Sequence, residues 1–192
     1  MKKLMGKFLY SRQYQVYKLN GNWFFDSINN KEENGFKYLK ITPINIDTFF
    51  SRDKYLSKTF HKFLKKKYIG YFLINDYEWI NYIWCANPFS PPPVHLTSLK
   101  DIRNLYWIFF CRTNEVYQNK GFYSRCLQLF CNQLIRTYNA NPDNIFIDAE
   151  SSSISANKAI INSGFIRYGE INLTRIHILP FIDIKKINWI TG

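Results

Sequence analysis

One junction constrains this chain more than any other. Residues Leu105 to Cys111 read LYWIFFC, an almost unbroken apolar run. A polar stretch with a single glycine follows, from Thr113 to Gly121. Then comes FYSRCLQLFCNQLIRTY, in which Tyr123, Cys126, Leu127, Phe130, Leu134 and Tyr138 recur every three or four residues. The apolar run predicts a strand covered on both faces, as in the middle of an α/β sheet. The spacing after it predicts a helix that lays one face on that sheet. Strand, polar loop with glycine, then helix start is a recipe for holding an anion. The first amides of a helix lack an intrahelical acceptor, and the positive end of the helix dipole points the same way.

The 192 residues suffice for one domain, 1–192, with a sizeable core, and 19% aromatic residues stock it well. No apolar run approaches the roughly 20 residues that a membrane helix needs, so no membrane span is predicted. The opening MKKLMGKFLY lacks the apolar centre and small-residue cleavage site of a secretory leader, and a cytoplasmic protein is expected. Cys85, Cys111, Cys126 and Cys131 show no CxxC spacing and read as reduced thiols. His61, His95 and His177 lack metal-ligand spacing, so no metal site is predicted. The net charge of +12 favours anionic partners: a phosphorylated cofactor, a nucleotide-linked substrate, nucleic acid or an anionic membrane face. The one dense basic run, Lys65 to Lys67, closes a predicted helix, where cations complement the dipole.

Along the chain, Tyr14 to Leu19 and Phe36 to Thr42 read as strands on either side of the polar stretch Ser27 to Asn34. Ser51 or Asp53 caps a helix running to about Lys67, with Tyr55, Leu56, Phe60, Phe63 and Leu64 on one face. IGYFLI and YEWINYIWCA, joined at Asn75-Asp76, form a hairpin. The segment Asn87 to Asn104, with Pro88 and the triplet Pro91 to Pro93, must be a loop. NIFIDAE is a second buried strand, and Ser153 to Ser163 is a short helix closed by Gly164. FIRYGEIN and the apolar stretches after it supply the last strands. The order predicts an α/β fold of α+β-like, three-layer type, with a mixed, twisted sheet and helices on both faces.

Two segments together resemble the GCN5-related N-acetyltransferases. Gln118, Gly121 and Tyr123 fall on the marked positions of that family's Gln/Arg-x-x-Gly-x-Gly/Ala loop. The run from Ser153 through Asn157 to Gly164-Phe165 is similar to its late helix. Order and separation agree over about Tyr68 to Leu173. The resemblance implies a sheet whose central strands splay apart around acetyl-CoA or another short acyl-CoA. It places the backbone of Cys111, Arg112 and Thr113 beside the pantetheine arm. The diphosphate would sit on Gln118, Asn119, Lys120, Gly121, Phe122 and Tyr123, with Ser153 and Asn157 near the arm or the departing thiol. Three positions depart from the family pattern: Tyr123 stands for a Gly or Ala, Ser153 for an asparagine, and Ile160 where a tyrosine often protonates the thiolate.

The chemistry needs a neutral amine, hence a base or water chain, and a donor for the developing oxyanion. Glu150, closing NIFIDAE, Glu78 on the hairpin and His95 in the proline loop are the candidate bases. Cys111 reads as a small hydrophobe rather than a nucleophile. The expected activity is an acetyl-CoA-dependent N-acetyltransferase, a monomer or homodimer, acting on a small-molecule amine. An amino sugar, free or nucleotide-linked, would find Trp79, Tyr82, Trp84 and Phe89 to stack on. Protein or peptide N-acetylation is the enzymatic alternative. A basic nucleic-acid-binding module of the same fold, without turnover, is the other.

Overall fold

The computed structural model describes residues 7–22, 35–76, 78–96, 104–178 and 182–191. The stretch Ser27 to Asn34 and residues 97–103 of the proline-rich loop lie outside the described residues. Eight strands form one sheet: β1 (Lys7–Leu19), β2 (Lys37–Lys40), β3 (Ile69–Ile74), β4 (Trp79–Ala86), β5 (Tyr106–Thr113), β6 (Ile145–Glu150), β7 (Phe165–Ile178) and β8 (Ile182–Thr191), in the order β2-β3-β4-β5-β6-β1-β7-β8. Four helices cover it: α1 (Pro43–Phe50), α2 (Lys54–Lys65), α3 (Phe122–Tyr138) and α4 (Ile154–Asn162).

The helices divide by face, as strand alternation dictates. Ile46 and Phe50 of α1 and Leu56 and Phe60 of α2 pack with Val16, Phe72, Trp84, Trp107 and Phe146. Leu127, Phe130 and Leu134 of α3 and Ile160 of α4 pack on the other face with Tyr17, Ile83, Ile108 and Ile147. This is the predicted three-layer architecture. Among the described residues no helix is long and apolar enough to cross a membrane.

Local chemistry sets the helix ends. Asp53 Oδ1 accepts the Leu56 amide at 2.9 Å and starts α2, one of the two caps anticipated. Gly164 closes α4 at φ 94°, the left-handed residue foreseen there. Helix α1 was not anticipated. Its signal is a capping box: the Thr42 amide donates to Asn45 Oδ1 at 2.8 Å, with Pro43 in the first turn. That cap also shortens β2, which ends at Lys40 rather than Thr42. A second surprise is β1. It starts at Lys7 and is threaded antiparallel between β6 and β7, so the first strand of the chain lies inside the sheet.

Only β5 and β6 run parallel among the described pairs, and they touch at just Tyr106↔Ile145, Trp107↔Phe146 and Ile108↔Ile147. Beyond those residues the strands part, as the expected splay requires.

Gly70 of β3 lies under the Trp84 ring of β4, and a Cβ there would come within 2.7–2.8 Å of three ring atoms. Trp84 is fully buried and has nowhere to go. Gly70→Ala is therefore expected to lower stability by about 1–3 kcal/mol, seen as a lower urea midpoint with unchanged slope. An unchanged midpoint would show that the ring can yield.

Candidate functional site

The parting of β5 and β6 is reinforced by a bulge. Trp84 faces Phe109 and Tyr82 faces Arg112, so Phe110 and Cys111 together oppose Ile83. Phe110 takes up the extra length at φ 51°, a left-handed conformation that costs a phenylalanine about 1–2 kcal/mol. Its ring is held against Phe60, Phe63 and Tyr82 at centroid distances of 6.2, 5.2 and 5.9 Å. Past the bulge, β5 is locked to β4: Asn81 Nδ2 donates to Thr113 Oγ1 at 2.8 Å, both residues being buried. The Asn114 amide reaches back to the Ile80 carbonyl at 2.8 Å. By strand alternation, the N–H groups of Thr113 and Cys111 then point the other way, into the gap left by β6.

A 3-10 turn, Glu115–Tyr117, carries the chain from β5 toward α3. It is buttressed by Glu78, whose carboxylate accepts Tyr117 Oη at 3.0 Å and Asn114 Nδ2 at 3.3 Å. The amide of Gln118 closes this turn on the Glu115 carbonyl at 3.2 Å, and its side chain donates to the Thr113 carbonyl at 3.3 Å. The free amides therefore begin at Asn119. From Asn119 to Ser124 no backbone amide has a protein partner among the described residues; the first helical bond is Arg125 N–H to the Gly121 carbonyl at 3.1 Å. Positive φ at Asn119 (60°) and Gly121 (79°), on either side of Lys120, curls this backbone into a concavity suited to an anion. A Cβ built on Gly121 would meet no protein atom within 4 Å, so the glycine opens onto space.

These amides border a cleft of about 350 Å³ on the α3 side of the sheet. Cys111, Arg112, Thr113, Gln118, Asn119, Gly121, Phe122 and Tyr123 line it, so eight of the predicted cofactor residues are brought together. Lys120 is not among them: its ammonium donates to the Val116 carbonyl at 2.9 Å and lies 5.4 Å from the centroid of the Tyr117 ring. The far wall comes from Ser155, Ala156 and Ala159 of α4, rather than from Ser153 and Asn157. The reason is plain for Asn157. It is buried, its amide donates to the carbonyls of Glu150 and Ser153 at 2.9 Å each, and it accepts Tyr17 Oη at 2.9 Å. Ser153 stands at the helix cap, but its hydroxyl makes no cap bond.

Cys111 and Arg112 also border a second hollow, about 340 Å³, on the α2 side, completed by Asp53, Tyr55, Leu56, Tyr82 and Phe110. The two hollows thus meet at the bulge. Of the aromatic side chains expected to stack on a sugar, Trp84 is fully buried and Trp79 packs on Phe50 and Tyr82 at 5.3 and 5.4 Å. Phe89 is 88% exposed, and it lines a different hollow in the proline segment. Only Tyr82 reaches the α2-side hollow.

The candidate bases separate. Glu78 is the buttress already described, outside both hollows. Glu150 pairs with Arg12. His95 donates through Nε2 to Asp148 Oδ1 at 3.1 Å, and Asp148 also accepts the indole N–H of Trp107. Asp148 escaped the sequence reading, although a carboxylate inside the apolar run NIFIDAE was a usable signal: a charge there must be paired. Phe146, Asp148 and Glu150 share the α1–α2 face by alternation.

On the cleft side, Cys111 and Tyr123 are held neutral. Burial pushes the Cys111 thiol up to about 12, and the negative charge of Asp148 adds to that. Burial also raises the Tyr123 hydroxyl well above its ordinary value, with Cys111 and Asp148 contributing. Among the described residues no three His, Cys, Asp or Glu side chains gather as a metal site.

No family model matches the chain, and no curated protein matches it in sequence. Solved structures do match in fold. A GNAT-family acetyltransferase from Colwellia psychrerythraea is 11% identical, with 83% of this chain aligned to 54% of that one at a TM-score of 0.53. A GCN5-related N-acetyltransferase-like protein from Streptococcus suis is 13% identical, with 91% aligned to 64% at 0.55. A Drosophila protein is 10% identical, with 90% aligned to 52% at 0.61. The chain spans only 52% to 64% of the length of these three. At such identities the likeness establishes the fold: this is the GNAT fold.

The raised thiol makes a direct forecast. With its ionisation at about 12, only about one Cys111 thiol in 10⁵ is a thiolate at pH 7. Iodoacetamide should label Cys111 far more slowly than a free cysteine at pH 7 and gain rate steadily as pH rises. Rapid labelling at neutral pH would refute the neutral-thiol assignment.

Proposed function

We propose that this protein is an acyl-CoA-dependent N-acyltransferase, with acetyl-CoA or another short acyl-CoA as donor and a small amine as acceptor. One observation carries the reading: six consecutive amides with no partner among the described residues, Asn119 to Ser124, at the start of a 17-residue helix, bordering a cleft at the gap between two parting strands.

The fit rests on this chain's own groups. The amides of Asn119 to Ser124 and the end of α3 suit a diphosphate, each charge-assisted bond being worth about 1.5–3 kcal/mol. The inward N–H groups of Cys111 and Thr113 suit the amide-bearing arm and the oxygen of a thioester, as an added strand would pair with a sheet edge. The bound thioester supplies an activated acyl carbon. Cys111, held as a neutral thiol, offers no competing nucleophile, so direct transfer to the amine is favoured over an acyl-enzyme.

The hollow across the sheet suits the acceptor. Asp53 and Arg112 put a carboxylate and a guanidinium on its rim, with Tyr82 and Phe110 as walls. That combination fits a compact amine bearing its own charge. It favours such a molecule over a sugar, because the aromatic platform a sugar would need is spent in the core.

Isothermal titration tests the reading. Acetyl-CoA should bind, and S-acetylpantetheine, which lacks the diphosphate, should bind at least about 100-fold more weakly. Equal affinities, or no binding of acetyl-CoA at high micromolar concentration, would overturn it. Gly121→Ala should weaken acetyl-CoA about tenfold, at a cost to the fold of about 1–2 kcal/mol for the left-handed alanine. Because no protein atom opposes that Cβ, a larger loss of affinity than of stability would locate the effect at the ligand.

A further inference from the structure

The acceptor nitrogen must lose a proton, and neither Glu78 nor Glu150 is free to take it. The cluster around Asp148 offers another group. Asp148 is the first residue of β6 after the last register pair with β5, so it stands where the gap begins. Its side chain is only 6% exposed, while that of its partner His95 is 28% exposed. A carboxylate only accepts, so a neutral His95 must carry its proton on Nε2, toward Asp148 Oδ1 and Oδ2 at 3.1 and 3.2 Å. Nδ1 then holds a lone pair, and no partner for it is found among the described residues.

The proline segment fixes this geometry. Pro92 is tied by its carbonyl to Tyr68 Oη at 3.1 Å, and the Pro93 carbonyl accepts the Leu96 amide at 2.8 Å. Leu96 is fully buried and anchors the turn that presents His95. Tyr14 of β1 covers the imidazole at 5.8 Å between ring centroids. Among the described residues, the groups facing His95 are thus Asp148 and Tyr14, with Arg12 and Glu150 paired beyond Tyr14. Asp148 is near enough to the cleft for its charge to be felt at both Cys111 and Tyr123.

The geometry points to His95 as the general base of this acyl transfer, with Asp148 as the residue that positions it; the inference rests on the acyltransferase reading. The acceptor nitrogen forms its bond to the acyl carbon as the carbon–sulfur bond breaks and the thiolate leaves with the electron pair. The proton shed by that nitrogen passes to His95 Nδ1, while the Nε2 proton stays on the ring, donated to Asp148, whose negative charge balances the imidazolium.

S-bromoacetyl-CoA tests this without knowing the acceptor. Its bromomethyl carbon lies where the acyl group sits, and displacement of bromide joins it to the nearest lone pair. Mass spectrometry of the full chain after digestion should find the adduct on His95 at Nδ1, suppressed by excess acetyl-CoA. Asp148→Asn should slow labelling about tenfold or more and let Nε2 compete; a merely structural ion pair would not alter the labelled nitrogen. His95→Gln should bind acetyl-CoA as before and lose the adduct. Labelling of another residue with His95 untouched, while acetyl-CoA binds, would overturn the assignment. Failure of acetyl-CoA to bind the unaltered protein would instead overturn the cofactor reading, and this inference with it.

Discussion

Three residue pairs of parallel strand hold the two halves of the sheet together. Tyr106 to Ile108 meet Ile145 to Ile147, and among the described residues no other backbone pairing joins β5 to β6. A longer ladder would close the gap, and a shorter one would leave the sheet as two separate pieces. The bulge at Phe110 bends β5 away immediately after the last pair. That bend imposes a left-handed phenylalanine, and the aromatic core under α2 offsets its strain. Phe60, Phe63 and Tyr82 surround its ring, and ring contacts of this kind are worth about 0.5–1.5 kcal/mol each. The many aromatic residues of the chain therefore bear on the site indirectly, by making a costly backbone conformation tolerable.

The sheet also divides the chemistry. On the α3 side, burial leaves the Cys111 thiol and Tyr123 hydroxyl uncharged, and the polar work falls to backbone amides. On the α1–α2 side, Arg12, Glu150 and Asp148 make a charged row along the opening, with His95 bonded to Asp148. Lys120, the cation next to the free amides, is committed to Val116 and Tyr117, so the proposed anion would rest mainly on backbone N–H groups. The charge of +12 then acts at a distance, drawing anions toward the molecule rather than holding them in place.

Legibility in the sequence obeys the same physics. The central strand, α3, α4 and the left-handed Gly164 were legible because their signals are local: an apolar run, a repeat of three or four, a glycine after a helix. The glycine loop ahead of α3 was legible as a backbone turn for the same reason, while the 3-10 turn that takes up the Gln118 amide was announced by no pattern. Non-local features were hidden. Asn157 was given to the cofactor by its motif position, yet it is spent on the carbonyls of Glu150 and Ser153 and the hydroxyl of Tyr17. The bulge depends on how many residues lie opposite Ile83, which is a property of two strands at once. The partnership of His95 with Asp148 joins a proline loop to a strand far along the chain, and only the fold brings them together.

The placement of β1 extends this point. By alternation, Tyr14 and Val16 face α1 and α2, whereas Tyr17 and Leu19 face α3 and α4. One strand thus reaches both sides of the site: Arg12 pairs with Glu150 and Tyr14 covers His95 on one face, while Tyr17 holds Asn157 on the other. Its neighbours, β6 and β7, come late in the chain. The contacts of the first strand therefore span most of the chain. Pairing at such sequence separation is slow because loop-closure entropy must be met before the contacts repay it. The strand that closes the sheet also completes the candidate site: a chain lacking β1 in its slot lacks both the wall over His95 and the tether on α4.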